Sequence, residues 1–167
     1  MSTVLLNTLR FVILLFLQII IFNNIDLFGY VNPYPYVLFI LLFPVNGNKY
    51  TLLVTSFLLG LLLDVFCNSG GIHTASSIIL ATLRPNFFKF SFGLSYEYQT
   101  VKIADRISTE RISFLLLSIF THHLVLFSLE YFRINLFFTI ISRVLITTVF
   151  TFAISVLIIY LIKPSKR

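Results

Sequence analysis

Charge is what this chain holds least of. Asp, Glu, Lys and Arg make up 11% of its 167 residues, against about 25% in an average soluble domain. So few charges cannot coat a water-facing surface, and a soluble fold would leave apolar area with nowhere to go. Cysteine is nearly absent as well. The single Cys67 excludes an intrachain disulfide and any thiolate metal cluster. Tryptophan is missing altogether, so interfacial anchoring falls to tyrosine. Equally absent are a His-Glu-x-x-His zincin pair, a Gly-Lys phosphate loop and a nucleophile elbow. Catalysis has no visible constellation, and the chain reads as a non-enzyme with no catalytic residues, no metal and no cofactor.

What is present is hydrocarbon. Hydrophobic residues make up 58% of the chain, twenty of them Phe, and the mean hydropathy is +0.99. Apolar stretches at about 4–25, 34–48, 50–67, 72–90, 111–132 and 135–162 approach or exceed the roughly 20 helical residues that cross a hydrocarbon core of about 30 Å. Backbone groups in lipid must bond internally, and these runs lack barrel-strand alternation, so each crossing is expected to be α-helical. The expectation is an all-α, polytopic membrane bundle of about six helices in one domain, residues 1–167. The first run follows Arg10 as a signal peptide might, but Asn23-Asn24-Ile25-Asp26 succeeds it without a small-residue cleavage site, so it reads as a retained anchor. The second stretch differs from the rest. Its unbroken apolar core, Tyr36 to Phe43, is about 12 Å of helix, and Pro33, Pro35 and Pro44 flank it. It is expected to be tilted, broken or partly re-entrant.

Basic residues orient the bundle. Lys49, Lys89, Lys102, Arg106, Arg111, Lys163, Lys166 and Arg167 fall on one set of connections and only Arg133 on the other. By the positive-inside rule the first set, and both termini, are cytoplasmic. In the rival reading the second stretch never crosses, giving five spans and an external N-terminus. Tyr30, Tyr34, Tyr36, Tyr50, Tyr131 and Tyr160 fall near predicted ends, as interfacial rings do. The net charge of +6 is spread over membrane-flanking positions, which suits anionic lipid headgroups rather than nucleic acid. The stretch Ser91 to Glu110 is the one sizeable water-facing segment, read as a solvated face or a cytosolic docking loop.

Ionisable groups inside such runs are costly and mark the places to look for function. Ser56, Gly60 and Asp64 recur every four residues and share one helical stripe, a packing face or a partner surface. Asp64 and His73 flank the tight turn Asn68-Ser69-Gly70-Gly71, so their side chains are expected at similar depth. Arg84 lies about 16 Å further along its helix, too deep to pair with Asp64, and is expected to snorkel toward phosphates. Arg143 is expected to be neutralised by Asp64 or Glu130. His122 and His123 point about 100° apart and do not readily share a metal.

The run Asn32-Pro-Tyr-Pro-Tyr-Val-Leu-Phe-Ile-Leu-Leu-Phe-Pro44, then Gly60-Leu-Leu-Leu-Asp64, Gly70-Gly-Ile-His73, Leu83-Arg-Pro85 and His122-His-Leu-Val-Leu-Phe-Ser-Leu-Glu130, resembles the bacterial rod shape-determining protein MreD family in order and spacing across most of the chain. The resemblance implies a non-enzymatic subunit of the cell-wall elongation machinery in the inner membrane. Its partner would be the single-span protein MreC and, indirectly, MreB filaments, RodA and the elongation transpeptidase. It also implies similarity to the substrate-binding subunits of energy-coupling-factor transporters. The alternative of another class is therefore a small-molecule, vitamin-binding subunit of a membrane transporter. Ser56, Gly60, Asp64, His73, Arg84, Glu130 and Arg143 are the partner or pocket candidates.

Overall fold

The computed structural model describes residues 3–27, 29, 31–93, 108–132 and 134–162, and among these the fold is helical, with one isolated bridge between Leu27 and Val31. Most of the loop 91–110, including Glu97, Lys102, Asp105 and Arg106, lies outside the described residues, as do Tyr30, Arg133 and the basic residues 163–167.

The elements are α1 (Thr3–Ile20), α2 (Leu38–Leu41), α3 (Lys49–Cys67), α4 (Ile72–Phe92), α5 (Thr109–Tyr131) and α6 (Phe137–Ile162), with a 3-10 turn at Pro35–Val37 leading into α2. Each boundary has a local cause. Asn48 accepts the amide of Tyr50 at 2.8 Å and so caps α3. Asn68 ends α3 in the left-handed region at φ 52°, where asparagine is tolerated. Gly71 then opens α4 at φ 99°, a conformation that favours glycine. Pro85 sits inside α4 without ending it.

Four stretches are long and apolar enough to cross a membrane: Val4–Asn24, Lys49–Cys67, Thr109–Tyr131 and Phe137–Ile162. Helix α4 has the length, at 21 residues, but Thr74, Ser76, Ser77, Arg84 and Asn86 dilute its hydropathy. The second stretch corrects its expected span of 34–48, because it is helical only from Pro35 to Leu41. Its prolines explain this, since Pro33 and Pro35 supply no amide donors at the start and Pro44 follows the end.

Although the shortest, this element is the most deeply placed. Tyr36, Val37, Leu38, Ile40 and Leu41 are fully buried, while long helices around it leave large apolar side chains exposed, such as Phe16, Val54, Phe66, Phe138 and Val149. Consecutive helices pack as antiparallel pairs, α3 on α4, α4 on α5 and α5 on α6. At one end of the bundle Phe88 stacks on Phe114 with ring centroids 4.2 Å apart. At the other, Asn23 donates to Cys67 Sγ at 3.0 Å, joining the ends of α1 and α3.

Candidate functional site

Several interior polar side chains form a cluster around α2. Gln18, fully buried in α1, accepts from the Tyr36 amide at 3.4 Å and donates to the Pro33 carbonyl at 3.0 Å and to Asn23 Oδ1 at 2.8 Å. One side chain thereby serves the backbone on both sides of Pro35, where the helix is broken. The Tyr36 hydroxyl lies 3.0 Å from His73 Nδ1 and 2.8 Å from His122 Nε2. A phenol has a single proton to give, so it donates to one imidazole and accepts from the other. Tyr36 thus ties α4 to α5 and fixes opposite proton positions on the two facing nitrogens. Beside it, His123 Nδ1 lies 3.1 Å from Thr148 Oγ1, and Thr151 Oγ1 accepts the Tyr34 amide at 3.0 Å. The ring of Tyr34 packs against both His73 and His123, with centroids 5.7 and 5.6 Å away.

The C-terminal end of the broken segment is closed by two arginines. Arg84 donates to the carbonyls of Leu41, at 3.3 Å, and Phe43, and Arg10 donates to Leu42 at 3.3 Å. Three successive carbonyls that a longer helix would have bonded are thereby answered, and the cations sit where the helix dipole is negative. This corrects the expectation that Arg84 snorkels to phosphates: the side chain is 4% exposed, and its guanidinium also lies over the Phe88 ring.

Asp64 and His73 do meet, but not ring to carboxylate. Asp64 Oδ1 accepts from the His73 amide at 3.0 Å and Ser69 Oγ at 2.5 Å, while Oδ2 accepts from the Thr74 amide at 2.8 Å and Thr74 Oγ1 at 2.5 Å. Gly71, the N-cap residue of α4, has no side chain to receive these amides. Asp64 supplies the missing oxygen from the neighbouring helix, and a carboxylate there also suits the positive end of the helix dipole. One turn earlier, a Cβ on Gly60 would stand 2.5 Å from Thr74 Cα and 2.7 Å from the His73 carbonyl oxygen. The stripe Ser56, Gly60, Asp64 is therefore buried against α4 of the same chain, which takes it out of consideration as an exposed partner surface.

Asp64 is taken up by these four donors. Arg143 lies over the Tyr131 ring at 5.8 Å and close enough to Glu130 for its charge to act there. Of the two anions expected for it, Glu130 is the one at hand. His122 and His123 are both fully buried and committed to different neighbours, and no cluster of three His, Cys, Asp or Glu suited to a metal occurs among the described residues.

Tyr36 also departs from expectation, being fully buried instead of interfacial, whereas Tyr50 and Tyr160 are largely exposed. Sequence reading passed over Gln18, Thr148 and Thr151. A lone amide within the apolar run 11–22 was a usable signal for Gln18. The two threonines gave none, because a hydroxyl in a membrane helix can bond its own backbone.

A separate cavity of about 550 Å³ opens between α1, the broken segment and the start of α3, lined by Phe11, Phe39, Phe43, Asn48, Thr51 and Thr55 among others. None of Asp64, His73, Glu130 and Arg143 borders it. The chain matches no family model, no curated protein and no solved structure.

Proposed function

We propose that this chain is an MreD-like, non-enzymatic integral subunit of the bacterial cell-wall elongation complex. It crosses the inner membrane six times with both termini cytoplasmic, and it supports cell shape by binding a single-span MreC-type partner. Through that partner it assembles or regulates RodA and the elongation transpeptidase, coupled to MreB filaments, as part of peptidoglycan synthesis regulation. The observation that carries this reading is that the blocks bearing the resemblance, far apart in sequence, meet in one interior. Tyr36 from the first bridges His73 from the third and His122 from the last, Asp64 from the second caps α4, and Arg84 from the fourth closes α2.

In this reading those residues build a rigid platform and touch no substrate. The docking face is then one of the outward apolar surfaces. We assign it to the cleft between α1 and α3, where packing between the two helices is sparse and the cavity opens. A photo-crosslinking residue at Thr55 or Thr8, incorporated in cells, is expected to capture a single-span membrane protein. Capture only from α6 positions such as Val149 would move the face elsewhere. The transporter alternative draws on the same cavity. Mass spectrometry of the detergent-purified protein separates the two, since a co-purified vitamin supports transport and a co-purified single-span protein supports scaffolding.

A further inference from the structure

The buried polar atoms that make no hydrogen bond among the described residues include the hydroxyls of Ser56, Ser118 and Ser155, and Nδ1 of His122. All four residues are fully buried. Helix pairing brings them to one level of the bundle. Gly60 lies against Thr74, so in the antiparallel α3/α4 pair Ser56, one turn back, is level with Ser77. The Tyr36 phenol sits beside Ser77 and 2.8 Å from His122. Ser118 is one turn from His122 on α5. Because His123 stands against Thr148 and Thr151, Ser118 is level with Ser155, one turn beyond Thr151 on α6. The four atoms thus occupy a slab a little over one helical turn thick, crossing three helices next to the His73–Tyr36–His122 chain.

Native interiors leave few polar atoms unsatisfied, and a serine in a helix ordinarily bonds the carbonyl one turn back, as Ser76 does here to Ile72 at 2.8 Å. Four exceptions in one slab are not scattered imperfections. We infer that this slab is a built site for internal water, a small neutral ligand able both to donate and to accept. Acceptance and donation are both required, because His122 Nδ1 is a donor or an acceptor depending on which way the Tyr36 proton points. A buried water takes two to four polar partners. His122 Nδ1, Ser118 and Ser155 supply one such set.

The chain has three histidines, so magic-angle-spinning NMR on ¹⁵N-histidine-labelled protein, in vesicles of phosphatidylethanolamine and phosphatidylglycerol, resolves every ring nitrogen. We expect His122 Nδ1 to show a hydrogen-bonded shift with magnetisation transfer from water, and His123, held by threonines, to show none. A His122 Nδ1 signal at the unbonded position, or bonded but without water transfer, overturns the inference. Ser118→Ala and Ser155→Ala supply a second readout. If water bridges these hydroxyls, each lowers the thermal midpoint by several degrees. A raised midpoint means the hydroxyls were orphans, an unchanged one means they bond their own helices, and either result rejects the site.

Discussion

Tyr36 holds two buried imidazoles on one hydroxyl. Removing the oxygen strands a nitrogen on each, and a buried polar atom without a partner costs about 1–3 kcal/mol. Tyr36→Phe is therefore expected to lower unfolding stability in detergent by about 2 kcal/mol or more. The Tyr36→Phe/His73→Phe double variant should lose less than the sum of the single losses, because the two share one network. Full additivity would mean the bonds are not coupled. Asp64 makes a parallel case at the start of α4. Alanine there leaves the amides of His73 and Thr74 and two hydroxyls without their acceptor, at a cost of about 2–3 kcal/mol. Asparagine keeps one oxygen and should fall between. An Asp64→Ala protein as stable as the parent would show that α4 does not depend on this cap. The cap itself was half legible in the sequence. The four-residue turn Asn68–Gly71 puts Asp64 and His73 at one depth, but spacing alone does not distinguish a ring contact from a bond to the amide of the same residue.

At the scale of elements, the segment 35–41 is the keystone and also the part least legible in advance. Its prolines announced a break, yet nothing local says that a seven-residue helix will be placed at the centre while longer, greasier helices take the outside. The reason is polarity. A broken helix exposes carbonyls and amides that lipid cannot satisfy, so it must sit where Gln18, Arg10 and Arg84 reach it. Arg84 was misread for the same reason, since a cation near a helix end snorkels only when no buried acceptor calls for it. Arg84→Lys keeps the charge but loses the planar Nη2 group that donates to both carbonyls. It is expected to raise the accessibility of a cysteine placed at Asn46, with Arg84→Ala raising it further. Equal accessibility in all three proteins would detach Arg84 from the broken helix. The α3/α4 seam gives a sharper test. Gly60→Ala puts a methyl against the backbone of Thr74, and this overpacking should cost about 1–3 kcal/mol. An unchanged melting point would show that the helices part freely at this point.

For the whole molecule, hydropathy alone marked an all-helical bundle, and four of its helices are long and apolar enough to span a membrane. The two that fall short are the ones that carry most of the polar contacts, α4 and the broken segment. That is why a hydropathy count and a crossing count part company here. Gln18, Tyr36, His73, Arg84 and His122, which hydropathy scores against a crossing, are bonded to one another or to the broken backbone. Those bonds let a seven-residue helix and its flanking coil traverse the bundle from the level of Gln18 to the level of Arg10. The most direct measurement is two-sided labelling with a membrane-impermeant thiol reagent. Single cysteines are placed at Asn32 and at Asn46 in a Cys67→Ala background, in intact cells and in inverted vesicles. Asn32→Cys is expected to react only from outside and Asn46→Cys only from the cytoplasmic side. Reaction of both from the same side would mean that the segment turns back and does not cross.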